Sequence, residues 1–164
     1  MIADSTYDAG ELIGRPGAGA VAGAVAAVLM LALLAGMQGP DAARAWINDA
    51  GRVVVPTSFR TATLLALAGA FVHLVVGAAL GALYAACQQR TSTSGIFAVG
   101  AFYGFIIWLA GYLVLVRLFQ SGPGSLPTWP GLMMTLAYGL LLAGWAARVQ
   151  KASAGLARHA GPVD

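Results

Sequence analysis

Gly69-Ala-Phe-Val-His73-Leu-Val-Val-Gly77-Ala-Ala-Leu-Gly81-Ala-Leu-Tyr84 is the stretch that decides the fold of this chain. It lies inside an apolar run from Thr61 to Ala86. At about 1.5 Å per residue, a helix of that length crosses a hydrocarbon layer of roughly 30 Å. Gly69, His73, Gly77 and Gly81 recur every four residues, so they share one slowly rotating helical face. Glycines on such a face let another backbone come close, which is how helices pack in lipid, where no water-driven force holds them together. His73 stands in the middle of the face and is the only histidine in any apolar run. An imidazole at membrane depth needs a partner, either across a helix interface or in a functional site.

Working outward, the whole chain has the same character. Of its 164 residues 59% are hydrophobic and 9% charged, against roughly 25% charged in soluble domains. That excludes a soluble globular enzyme and leaves one membrane domain over residues 1–164. The spacing of apolar runs and breakers predicts an all-α polytopic protein with four spans, at about 17–37, 61–87, 95–119 and 130–148. Gln38-Gly39-Pro40 ends the first span. Asp41 then reads as the N-cap of a short interfacial helix over about 41–51, closed by Gly51, with Trp46 at headgroup level. Trp46, Trp129 and Arg117 are expected at one membrane face. Residues 1–16 read as a retained acidic tail and residues after 148 as a small basic one.

The same two-helix unit reads twice. Gly131, Thr135, Gly139 and Ala143 repeat the four-residue spacing, and a shift of 62 positions lays Thr135 on His73. Gly100 and Gly104 overlay Gly19 and Gly23 at a shift of 81. Gly100, Gly104, Thr135 and Gly139 therefore join Gly69, His73, Gly77 and Gly81 as helix-packing candidates. Two such hairpins share one orientation, so a repeat axis would run along the membrane normal. Arg15, Arg90, Arg148, Lys151 and Arg158 fall on one side of the membrane, and Arg44, Arg52, Arg60 and Arg117 on the other. The positive-inside rule then places both termini in the cytoplasm. The scarcity of lysine beside abundant Ala, Gly and Arg points to a bacterial, GC-rich source.

Chemistry-bearing patterns are sparse. The net charge of +3 comes from basic residues scattered at span ends, which argues against nucleic acid as a partner. Cys87 is the single cysteine, so the chain forms no internal disulfide. A haem needs two axial ligands, and nothing pairs Met30, Met37, Met133 or Met134 with His73. No second His, Cys, Asp or Glu lies in a span to complete a metal site. Gly17-Ala-Gly19-x3-Gly23 is one residue off a dinucleotide fingerprint and opens a span instead of following a strand, so it reads as packing. Neither a cofactor nor a catalytic residue is expected, and the chain does not read as an enzyme. His73 is expected to bond Thr135, Tyr138 or a backbone carbonyl of a neighbouring helix. The functional alternative is proton transfer through His73, Tyr84, Tyr112 or Tyr138.

His73-Leu-Val-Val-Gly77 with Gly81 and Tyr84, a short polar loop, then Gly100-x3-Gly104-x3-Trp108 and a Gly-Pro turn, resembles the YagU-like group of small bacterial inner-membrane proteins. The likeness covers about residues 65–145 and implies a multi-pass protein of the bacterial inner membrane. That group carries further histidines in its third and fourth membrane helices. Here the third has none, and the fourth has Thr135 at the corresponding place. The expected partners are the bilayer and either other membrane subunits or further copies of this chain. The expected role is that of a structural or accessory subunit, with an oligomeric transporter or channel for a small solute or proton as the alternative.

Overall fold

A computed structural model describes residues 16–88, 92–118 and 128–159. The expectations for the acidic N-terminal tail, residues 89–91 of the polar loop, the turn-rich segment 119–127 and residues 160–164 lie outside the described residues. Among the described residues every regular element is helical. They are α1 (Pro16–Gln38), α2 (Pro40–Val54), α3 (Ala62–Cys87), α4 (Thr93–Leu118) and α5 (Thr128–His159), with a 3-10 turn at Thr57–Phe59. Four of these, α1, α3, α4 and α5, are long and apolar enough to cross a membrane. The all-α, four-span architecture is therefore the fold. Lipid offers the backbone no hydrogen-bond partner, so long apolar runs of Ala, Leu and Val close their bonds within the helix.

The span limits agree with the sequence within a few residues, except at the end of α5. The helix there continues to His159, beyond the expected limit at 148. Lys151-Ala-Ser-Ala-Gly-Leu-Ala-Arg158 is rich in good helix formers, and no proline intervenes before Pro162.

The short helix differs more from expectation. Asp41 is not its N-cap: the helix starts at Pro40, and Gly39 takes the capping position with φ of 90°. Only glycine adopts that backbone without strain, and proline fits the first helical position because its missing N–H has no partner to lose there. Nor does Gly51 end the helix, which runs on to Val54 before Pro56 breaks it. Its last carbonyls are gathered by Arg60, which donates to the carbonyl oxygens of Arg52 at 3.0 Å and Val55 at 3.2 Å. A cation at a helix C-terminus also favours the local dipole. α3 begins on Thr61, whose hydroxyl accepts the N–H of Leu64 at 3.2 Å.

α1 packs against α3 and α4 against α5, each pair antiparallel, and α5 lies along α1 to join the pairs. α2 covers the first turns of α3. Where the helices meet, small residues and tyrosines form the interior: Ala26, Ala27, Tyr84, Ile96, Tyr138, Leu142 and Ala143 are all nearly fully buried. Large side chains such as Val21, Leu67, Phe71 and Phe102 point outward, as they do where the surroundings are lipid.

Candidate functional site: a junction of three helices at His73

The glycine face of α3 serves two neighbours in succession. A methyl group added to Gly81 would overlap the carbonyl oxygen of Gly19, and one on Gly77 would come within 2.6 Å of Ala27 Cβ. Both contacts are to α1. About two turns further toward the start of α3 the neighbour changes. A methyl on Gly69 would overlap the carbonyl oxygen of Ile47, and one on Gly51 that of Leu65, so α2 runs against α3 in the opposite sense. Gly51 is thus a packing residue of the seam and not a helix terminator.

His73 sits where the two seams meet, and it holds both neighbours. Its Nδ1 accepts the indole N–H of Trp46 on α2 at 3.4 Å, a long bond. Its Nε2 lies 3.0 Å from the carbonyl oxygen of Ala27 on α1. With Nδ1 accepting, the ring proton is on Nε2, which donates to that carbonyl. One imidazole, in one tautomer, bridges three helices. The carbonyl is reachable because Gly23 and Ala27 leave the surface of α1 bare. His73 does pair with a backbone carbonyl of a neighbouring helix, one of the expected partners. Thr135 is not its partner: its hydroxyl lies 3.2 Å from the carbonyl of Gly131 and 3.1 Å from that of Leu132, within its own helix. The bond from Trp46 brings that indole toward the middle of α3, whereas the sequence put it at headgroup level. Trp129 is exposed, and the side chain of Arg117 lies outside the described residues.

α3 also receives hydroxyl groups from the second pair of helices. Tyr138 of α5 donates to the carbonyl oxygen of Gly77 at 2.6 Å, and Tyr103 of α4 donates to that of Leu80 at 2.7 Å. The rings of Tyr84 and Tyr103 are tilted against each other with centroids 5.2 Å apart. The hydroxyl of Tyr84 is buried and meets no partner among the described residues. Each of the other helices among the described residues therefore touches α3 through a polar contact or a glycine.

The second glycine seam joins α4 to α5. Methyl groups on Gly100 and Gly139 would strike, respectively, Ala143 Cβ at 2.6 Å and the carbonyl oxygen of Gly100; one on Gly104 would overlap the carbonyl oxygen of Thr135. Gly100 meets Ala143 just as Gly19 meets Ala85. In the contacts, then, Ala85 corresponds to Ala143 and Gly81 to Gly139, and the position matching His73 is Gly131. The sequence overlay had set Thr135 there, one helical turn away.

The packing candidates divide among three seams: Gly77 and Gly81 face α1, Gly69 faces α2 with His73 between them, and Gly100, Gly104, Thr135 and Gly139 lie where α4 meets α5. Sequence reasoning missed Trp46, Ala27 and Gly51. The signal for Gly51 was available, since Ile47 and Gly51 stand four residues apart on one face of α2. No group of three His, Cys, Asp or Glu side chains able to hold a metal occurs among the described residues.

Fold and junction together define a multi-pass helical membrane protein closed by glycine seams. No family model, no curated protein and no solved structure matches the chain.

Proposed function

We propose that this protein is a structural or accessory subunit of the bacterial inner membrane, acting by packing against a larger membrane complex or against copies of itself. The observation that carries this reading is the engagement of both nitrogens of His73 in helix–helix bonds. A ring held from both sides joins helices, and neither partner, an indole N–H or a backbone carbonyl, is a titratable group that would pass it a proton. Tyr103 and Tyr138 are likewise bonded to carbonyls of α3. On this reading the chain carries out no reaction of its own. A place beside the YagU-like group, two hairpins copied from one unit, and cytoplasmic termini belong to the same reading. The first is supported by the motif around His73, the second by the matching contacts of Gly19 with Ala85 and Gly100 with Ala143. The third rests on the balance of basic residues.

The experiment is affinity purification of the tagged full-length chain from native membranes, followed by native electrophoresis. Co-migration with a larger assembly, lost in a Gly77→Leu variant, is the expected result. Migration as a lone symmetric oligomer that conducts a solute in liposomes would replace this reading with the second. One observation favours that second reading, an oligomeric channel or transporter for a small solute or proton. The Tyr84 hydroxyl, without a partner among the described residues, follows His73, Tyr138 and Tyr103 in a polar row along α3.

A further inference from the structure

The notch between α2 and the start of α3 holds a groove of about 410 Å³, lined by Ala43, Arg44, Ile47, Asn48, Ala62 and Ala66. A volume of this order is in the range of small-ligand sites. Its composition is divided. Ala62 and Ala66 on α3, with Ala43 and Ile47 on α2, make an apolar wall of small side chains. Arg44 and Asn48 supply the polar part. The groove forms because Gly69 and Gly51 pull the two helices together below it, while alanines on both sides fail to fill the space where they part.

The charge around it favours an anion. Between Pro40 and Thr61 three arginines, Arg44, Arg52 and Arg60, face two aspartates, Asp41 and Asp49. Arg52 is paired with Asp49, and Arg60 is bound to the carbonyls that end α2. Among the described residues Arg44 pairs only with Asp41, at 3.7 Å, with both side chains largely exposed. Such pairs contribute little and break readily. The guanidinium is therefore able to turn to a phosphate, whose oxygens match its fork of N–H groups. The groove also opens at the N-terminal turn of α3, where the helix dipole favours negative charge.

We infer that this groove holds an anionic phospholipid, its phosphate on Arg44 and Asn48 and the upper part of an acyl chain along Ala43, Ile47, Ala62 and Ala66. A wall of small apolar side chains beside a guanidinium and an amide fits a molecule with that division and not a free anion. The inference needs the four spans and stands apart from the accessory role.

The test is native mass spectrometry of the detergent-purified full-length chain titrated with phosphatidylglycerol, phosphatidylcholine or inorganic phosphate. The expected result is one retained phosphatidylglycerol per chain, favoured over phosphatidylcholine by about tenfold or more, the size of one charge-assisted hydrogen bond. Arg44→Gln is expected to abolish that preference, and Arg52→Gln to leave it unchanged. Ala66→Phe, which fills the apolar wall at an exposed position, is expected to remove retention of both lipids without altering helix content. Equal retention of the two lipids, wild-type retention by Arg44→Gln or by Ala66→Phe, or equal loss in Arg52→Gln would each overturn the inference. So would displacement of the lipid by inorganic phosphate alone.

Discussion

The α1/α3 and α4/α5 seams close by the same means and differ in what lies beyond the glycines. In both, a glycine of one helix meets a glycine and an alanine of its partner, and the backbones touch. In the first seam the face of α3 continues into His73 and Gly69, so the pair recruits a third helix. In the second, the position corresponding to His73 is Gly131, and the nearby Thr135 turns its hydroxyl back onto its own helix. Backbone proximity is enough to pair two helices. A polar side chain with two functional ends is what turns the pair into a trio.

The comparison breaks hardest at Gly77. Gly77→Leu forces a branched side chain against Ala27 Cβ and the backbone of Gly23, and the same position lends its carbonyl to Tyr138. Overpacking costs about 1–3 kcal/mol, and here the upper end is expected because α1 and α5 are both displaced. A large drop in midpoint temperature in detergent checks this; an unchanged midpoint would mean that the stripe does not face α1. Gly139→Leu probes the other seam. Its expected cost is about 1–2 kcal/mol, read as faster hydrogen exchange confined to α4 and α5, because no third helix depends on that contact.

His73→Ala sharpens the contrast at lower cost. Interhelical hydrogen bonds in membranes contribute roughly 0.5–2 kcal/mol, so the bundle should survive. Amide exchange in α2 should rise while α4 and α5 stay as they were. A uniform rise across all five helices would show instead that the imidazole supports the whole bundle. The smallest effect is expected for Thr135→Val, within about 0.5 kcal/mol, since its hydroxyl bonds only carbonyls already paired in α5. A loss comparable with that of His73→Ala would mean the two seams are more alike than their hydrogen bonds indicate.

Much of this arrangement was legible in the sequence because it rests on periodicity. Runs of apolar residues set the spans, and glycines four apart set the seams. The junction was harder to read. His73 announced that it needed a partner, but Trp46 lies 27 residues away on a helix whose charges suggested a surface position. Ala27 contributes only a carbonyl, and every residue has one; nothing in its side chain marks it. The register of the second seam was off by one turn for a similar reason. An overlay of glycine on glycine is satisfied equally well at several four-residue steps, and only the facing helix chooses among them.

The order of residues in the junction has a consequence for biogenesis. Ala27 and Trp46 both precede His73 in the chain, so everything that the imidazole binds has already left the ribosome when the imidazole itself emerges. The three-helix unit is complete in composition once Cys87 has been added. Tyr103 and Tyr138 then arrive later and dock onto carbonyls of a helix already packed against α1 and α2. Synthesis from N- to C-terminus thus runs in the same direction as assembly, and the imidazole never waits in lipid for a partner still to be made.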